Sequence, residues 1–297
     1  MFVPDLIRKC VAFLGIEYDD RRFVPMGTGF FVHAGENNIQ FSHFVTAEHV
    51  VALIRDRIEK EKDKGIIGKL AVRLNVKKGG SEVLHLDGAH WWHHPDSENL
   101  TDVAVMRWSD QREYFDHFPL PLYGSVVEAS KTEHLRRRGA SLGQEIAIIG
   151  LFRHHRGEQR NEPIVRVGNI AAIPEERVWT KWCGYTEAYL VEANSIGGLS
   201  GSPVFVNLMY TGPVTMNVGG PNYQGADGTV DFKVYMLMGL MHGHWDLPNL
   251  TDTAIEDGKN ENERINTGVG VVIPVQKIIE TLYQSELVEM REKYEDK

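Results

Sequence analysis

The chain has 297 residues, 42% hydrophobic and 25% charged, an ordinary globular composition with enough apolar material for one large domain or two small ones. Its 41 acidic residues against 32 Lys and Arg give a formal charge of −9, which excludes a general nucleic-acid binder with a basic face. Asp5, Arg8 and Lys9 interrupt the first apolar residues, no run approaches the roughly 20 apolar residues of a membrane span, and Cys10 and Cys183 are too few for a disulfide framework. A soluble, cytoplasmic protein is therefore expected.

In chain order, the first third reads as short strands: "CVAFLGIE", "GTGFFV", "NIQFSHFVTA", "KLAVRLNV", "EVLHL" and "VAVMRW". Between the third and fourth, "AEHVVALIRDRIEKEKDKG" predicts a helix with Val50, Val51, Ile54 and Ile58 on one face and a glycine at its end. Residues 109–139 are polar, contain proline and lack strand rhythm, so they read as a linker; the Arg136–Arg138 triplet in it is a solvated loop. A second strand series follows: "EIAIIGLF", "PIVRVGNIAAI", "AYLVEA", "SPVFV", "VYMLMGLM" and "VGVVIP". Two polar loops interrupt it, and the acidic one at 245–267 is expected to be mobile and to border a cleft. Pro274 then opens a predicted C-terminal helix that aligns Val275, Ile278, Ile279 and Leu282. Many short strands punctuated by Gly and Pro predict an all-β fold of sandwich or barrel type.

Chemistry concentrates in "ANSIGGLSGSPVFV", residues 193–206. Ser200 lies among glycines, but Ser202 stands where a hydrolase elbow needs its last glycine, and Pro203 leads into a strand rather than a helix. A serine hydroxyl needs a base beside it, itself oriented by a carboxylate. His49 ends an apolar strand in "FVTAEHVV", and Asp102 precedes a strand in "ENLTDVAVMRW", where a carboxylate is costly unless paired. Asp96 and Glu98 are the reserve candidates for the orienting acid. The histidine pairs His93–His94 and His154–His155 and the triplet His242-Gly243-His244 raise a metal alternative. No His-Glu-x-x-His or Cys-x-x-Cys spacing accompanies them, so they read as scattered surface histidines and no metal or cofactor is expected.

Thr46-Ala47-Glu48-His49, Asp102-Val103-Ala104-Val105 and Gly198-Leu199-Ser200-Gly201-Ser202-Pro203 resemble, in that order, the three signatures of chymotrypsin-like serine proteases. "GTGFFV", "MLMGLM" and "TGVGVVIPV" extend the resemblance, which is closest to the disulfide-free bacterial branch of high-temperature-requirement proteases and glutamyl endopeptidases. The resemblance implies two six-stranded antiparallel β-barrels and a C-terminal helix. Residues 1–115 would be the first barrel, 116–140 the linker and 141–297 the second barrel, ending in a helix from about 274. It further implies a peptidase acting on protein or peptide substrates: Ser200 as nucleophile, His49 as base, Asp102 as orienting acid, and the N–H groups of Gly198 and Ser200 as oxyanion hole. Pocket walls would be Asn194, Ser195, His242, Gly243, His244, Gly268 and Gly270. Neutral Asn194 argues against tryptic specificity, and Leu199 cannot pair with a newly cut N-terminal amine. A catalytically silent binding module on the same fold is the alternative; no nucleic-acid or membrane partner is expected.

Overall fold

The structure is a computed structural model and describes residues 3–35, 40–96, 100–109, 111–123, 135, 140–152, 155–193, 198–208, 235–247 and 265–295. A short helix, α1 (Asp5–Arg8), leads into β1 (Val11–Tyr18), which runs antiparallel to β2 (Phe23–Ala34) on one side and β4 (Gly68–Asn75) on the other. β3 (Phe41–Thr46) pairs with β2 and ends where α2 (Glu48–Lys62) begins. β5 (Ser81–His85) flanks β4, and β7 (Ala104–Arg107) flanks β3. These six strands follow the order β5-β4-β1-β2-β3-β7. Two further two-residue strands add to them: β6 (Trp92–His93) on β7, and β8 (Leu120–Pro121) parallel to β2.

β8 corrects the reading of 109–139 as a bare linker. Phe115, Phe118, Leu120 and Leu122 are buried in the first module, and the His117 ring lies 4.6 Å from that of Phe31. Spaced apolar residues rather than an alternating run make this contact, which is why strand rhythm did not reveal it.

The second module is a closed barrel of β9 (Glu145–Gly150), β10 (Ile164–Ala172), β13 (Tyr189–Glu192), β16 (Ile265–Pro274), β15 (Tyr235–Leu247) and β14 (Pro203–Asn207), in that spatial order. A separate hairpin of β11 (Val178–Thr180) and β12 (Gly184–Thr186) projects from it. The chain is thus all-β with a helical C-terminus as expected; the second module closes as a six-stranded antiparallel barrel, and the first is an eight-stranded sheet that includes one parallel pair. β15 and β16 pair as far as Leu247 and Ile265, so the ends of the loop expected at 245–267 are strand; its residues 248–264 lie outside the described residues.

α2 buries Val50, Val51 and Ile54, and Ile58 packs at the edge of the same core. The expected C-terminal helix is two helices, α3 (Val275–Leu282) and α4 (Ser285–Glu295), with Pro274 capping α3 rather than opening its first turn. The break is held at Tyr283, whose hydroxyl donates to Leu122 O of the first module at 2.9 Å, while Arg291 of α4 donates to Leu282 O at 2.8 Å. The Arg291 side chain thereby satisfies one of the carbonyls that the end of α3 leaves without a helical partner.

A strap from the second module, residues 157–161, is tied to β4 and β5. Arg73 donates to the carbonyls of Gly157 at 2.9 Å and Glu158 at 2.7 Å, and Ser81 donates to Gln159 O at 2.8 Å. Buried Asn161 exchanges hydrogen bonds with Asn75 at 2.6 and 3.1 Å. These bonds fix the two modules against each other.

Candidate active site

Asp102 is fully buried just before β7. Its Oδ1 accepts the backbone N–H of His49 at 2.9 Å and its Oδ2 the His49 Nδ1–H at 2.7 Å. A carboxylate only accepts, so this bond places the hydrogen of neutral His49 on Nδ1 and leaves a lone pair on Nε2. His49 is presented at the first turn of α2 because β3 ends at Thr46 and Ala47, in extended conformation, caps the helix. Burial by itself would raise the Asp102 pKa; the charge of His49 and the N–H bonds from His242 and His49 outweigh it and hold the carboxyl well below the ordinary range.

Ser200 enters from the second module on a turn wedged against the first. Its carbonyl accepts the N–H of Thr28 at 3.0 Å, and Thr28 Oγ1 in turn bridges Leu151 N at 2.9 Å and Gly198 O at 3.3 Å. Gly201 has φ +81°, and a Cβ there would lie 2.1 Å from Thr28 O, 2.4 Å from Thr46 Oγ1 and 3.2 Å from Ala47 N. Only glycine allows that approach, and it sets the serine turn directly against the residues that lead into His49. Gly198 also has positive φ, +114°, as a sharp reversal before the serine requires.

The second contact to Asp102 is one that sequence reasoning missed. His242 Nδ1 lies 2.5 Å from Asp102 Oδ2, the same oxygen that His49 uses, and the two imidazole rings stand 5.2 Å apart at 67°. On β15, Met241 pairs with Val272 and Gly243 with the next residue, Val271, so His242 is the extra residue of a β-bulge. The bulge turns its side chain out of the barrel pattern and toward the first module. Its neighbour Gly243 is open except toward Ser200, whose Oγ would sit 3.9 Å from a Cβ built there. His242 thus has a partner beyond the expected pocket wall and is no surface histidine.

Of the other expected wall residues, His244 pairs with Gly270 on the adjacent strand β16, and the side of Gly270 that lacks a Cβ faces Met241, whose Cε would be 2.7 Å away. Gly268 has φ +75° and open space around it. Asn194 and Ser195 lie outside the described residues, as does the reserve acid Glu98; Asp96 donates its backbone N–H to His94 Nδ1 at 3.2 Å. Sequence reasoning also missed Trp182, at the tip of the β11–β12 hairpin, whose ring lies 6.0 Å from that of His49 and is 40% exposed. The closely spaced aromatics Trp179, Trp182 and Tyr185 were the available signal, and the structure leaves all three exposed on one hairpin.

The remaining paired histidines have individual partners. Partly buried His94 bonds Glu280 at 2.7 Å, His93 faces Glu48 at 3.5 Å and exposed His155 pairs with Glu162 at 2.7 Å. His154 lies outside the described residues.

No family model and no curated protein matches the chain. Solved structures similar to it include the MamO protease domain from Magnetospirillum magneticum, at 13% identity and TM-score 0.48, over 94% of this chain and 99% of that one. The HtrA-type protease AlgW, solved with a decapeptide, is similar at 14% identity and TM-score 0.48 over 96% of this chain and 66% of that one. Deg5 is similar at 18% identity and TM-score 0.41, over 68% and 80%.

Proposed function

We propose that the protein is a serine endopeptidase that cleaves peptide bonds through an acyl-enzyme. The observation that carries this reading is the 2.7 Å bond from His49 Nδ1 to a fully buried Asp102, beside a serine turn that Gly201 locks against the entry to α2. Ser200 Oγ attacks the scissile carbonyl while His49 Nε2, whose lone pair the Asp102 bond guarantees, takes the serine proton. The resulting imidazolium is stabilised by Asp102, and the oxyanion by the N–H groups of Gly198 and Ser200, each donor being worth about 3 kcal/mol in such sites. His49 then returns the proton to the leaving amine, and water repeats the sequence on the ester.

Substrate side chains would rest between Gly243, His244, Gly268 and Gly270, with Trp182 beside His49. Cys10 and Cys183 are both unpaired and buried, which fits the expected cytoplasmic location. A fluorophosphonate probe followed by intact-mass measurement tests the reading. One adduct on the wild-type chain, mapped to Ser200 and abolished in Ser200→Ala, is expected; a folded wild-type chain that takes no adduct would instead be a silent binding module.

A further inference from the structure

We propose that His49, Asp102 and His242 form a binding site for a divalent transition cation of the zinc class. The ion would compete with the hydrogen bonds that now join these three side chains.

Nδ1 of His49 and Nδ1 of His242 converge on one carboxylate oxygen, at 2.7 and 2.5 Å, and the three ligand atoms lie within 4.8 Å of one another. Among the described residues this is the group whose His, Cys, Asp or Glu atoms come close enough to share an ion. Two imidazoles and a carboxylate are the donor set that zinc accepts, with one position left for water, at bond lengths of about 2.0–2.2 Å. Tetrahedral ligands at that distance stand about 3.3 Å apart, so each nitrogen must retreat from Asp102 by somewhat more than half an ångström.

The backbone permits that retreat at one point. His242 is the extra residue of the β-bulge, without a Cα partner on β16 and flanked by Gly243, so its backbone is less constrained than that of a regular strand residue. Asp102, in contrast, stays oriented through the His49 N–H on Oδ1, as an outer-shell bond orients a ligating carboxylate. The site is also reachable, since the His49 and His242 side chains are 13% and 11% exposed while the carboxylate is fully buried.

The protons balance without an added reagent. When both imidazoles are neutral, each moves its hydrogen from Nδ1 to Nε2 and offers the vacated lone pair to the ion, so no proton leaves the site. The shift has one consequence that rests on the peptidase reading. With hydrogen on Nε2, His49 cannot accept the Ser200 proton, and a bound ion switches the base off.

The test is calorimetric titration of zinc into chelator-treated wild-type protein and into His242→Ser, Asp102→Asn and the surface control His93→Ala. One ion per chain is expected for the wild type and for His93→Ala, with affinity falling at least tenfold in the other two. Cobalt(II) gives an independent readout: an intense tetrahedral-type visible absorption for the wild type that is lost in His242→Ser, even if that variant's thermal stability differs. Wild-type affinity retained in His242→Ser, or no binding by the wild type at sub-millimolar zinc, would overturn the site. Fluorophosphonate labelling of the zinc-free protein separates the two readings. Labelling without zinc binding removes only the metal site, whereas zinc binding without labelling supports the site and removes the peptidase.

Discussion

His242 and Asp102 stand on different modules, 140 residues apart in sequence, and meet at 2.5 Å on an oxygen that already accepts His49. A buried carboxylate with one partner would leave much of its charge uncompensated, and two imidazole donors plus a backbone N–H remove most of that cost. The contact also ties the bulge of β15, beside Ser200, to the acid of the first module.

Asp102→Asn should keep the fold yet lower turnover by about four orders of magnitude, because an amide favours the wrong His49 tautomer. Steady-state hydrolysis of a peptide substrate, alongside a thermal melt of the same preparation, checks this. Near-normal turnover in a folded variant would move the orienting role to another acid.

Gly201→Ala should be among the most damaging single-methyl changes in the chain. The added carbon meets Thr28 O at 2.1 Å, in a backbone conformation with φ +81°. A loss of about 2–4 kcal/mol in urea unfolding is expected, together with loss of fluorophosphonate labelling. A change below about 0.5 kcal/mol would mean the turn is not pressed against Thr28.

Stability should fall on acidification through His43. Burial, reinforced by the charge of Arg291, pushes its pKa from 6.5 down to about 3. The unfolded chain therefore binds a proton that the folded one refuses throughout that window. Stability contributed by the neutral ring is complete above about 6.5 and declines by up to about 1.4 kcal/mol per pH unit as the pH drops toward 3. His43→Gln, which keeps a donor for Phe41 O but does not titrate, should flatten the unfolding free energy between pH 6.5 and 4. A variant with the wild-type slope would assign the effect to other groups.

Thiol reagents should leave the site alone. Burial, helped by the negative charge of Asp102, pushes Cys183 up to about 12, and burial raises Cys10 further still. Iodoacetamide at neutral pH should add no mass to the folded protein and leave Ser200 labelling intact; modification of Cys183 under those conditions would contradict the burial.

Arg73→Ala should release the strap at 157–161. Removing the guanidinium leaves the carbonyls of Gly157 and Glu158 and the hydroxyl of Ser81 without their donor, at a cost of about 2–3 kcal/mol. Trypsin should then cut at Arg160 faster than in the wild type, as followed by mass spectrometry of timed digests. Equal cleavage rates would show that the strap is held without Arg73, by the Asn75–Asn161 and Ser81–Gln159 bonds.

What the sequence determined by itself is the set of features written in local periodicity and in glycine. The alternating runs, the amphipathic face of α2 and the Gly-Leu-Ser-Gly turn follow from side-chain spacing and backbone freedom, so strands, helix and serine turn were legible without a fold. The positions of His49 and Asp102 were legible too, because each stands next to an apolar strand where a polar group needs a reason. Features decided by contacts distant in sequence were not legible. Tyr283 ends α3 because its hydroxyl finds Leu122, and β8 pairs only because β2 offers an edge. His242 is the sharpest instance: in a regular strand, one residue of register decides which face a side chain takes, and a bulge changes that register. Whether His242 would face the pocket, the barrel or Asp102 was therefore fixed by how β15 pairs with β16, which only the closed barrel decides.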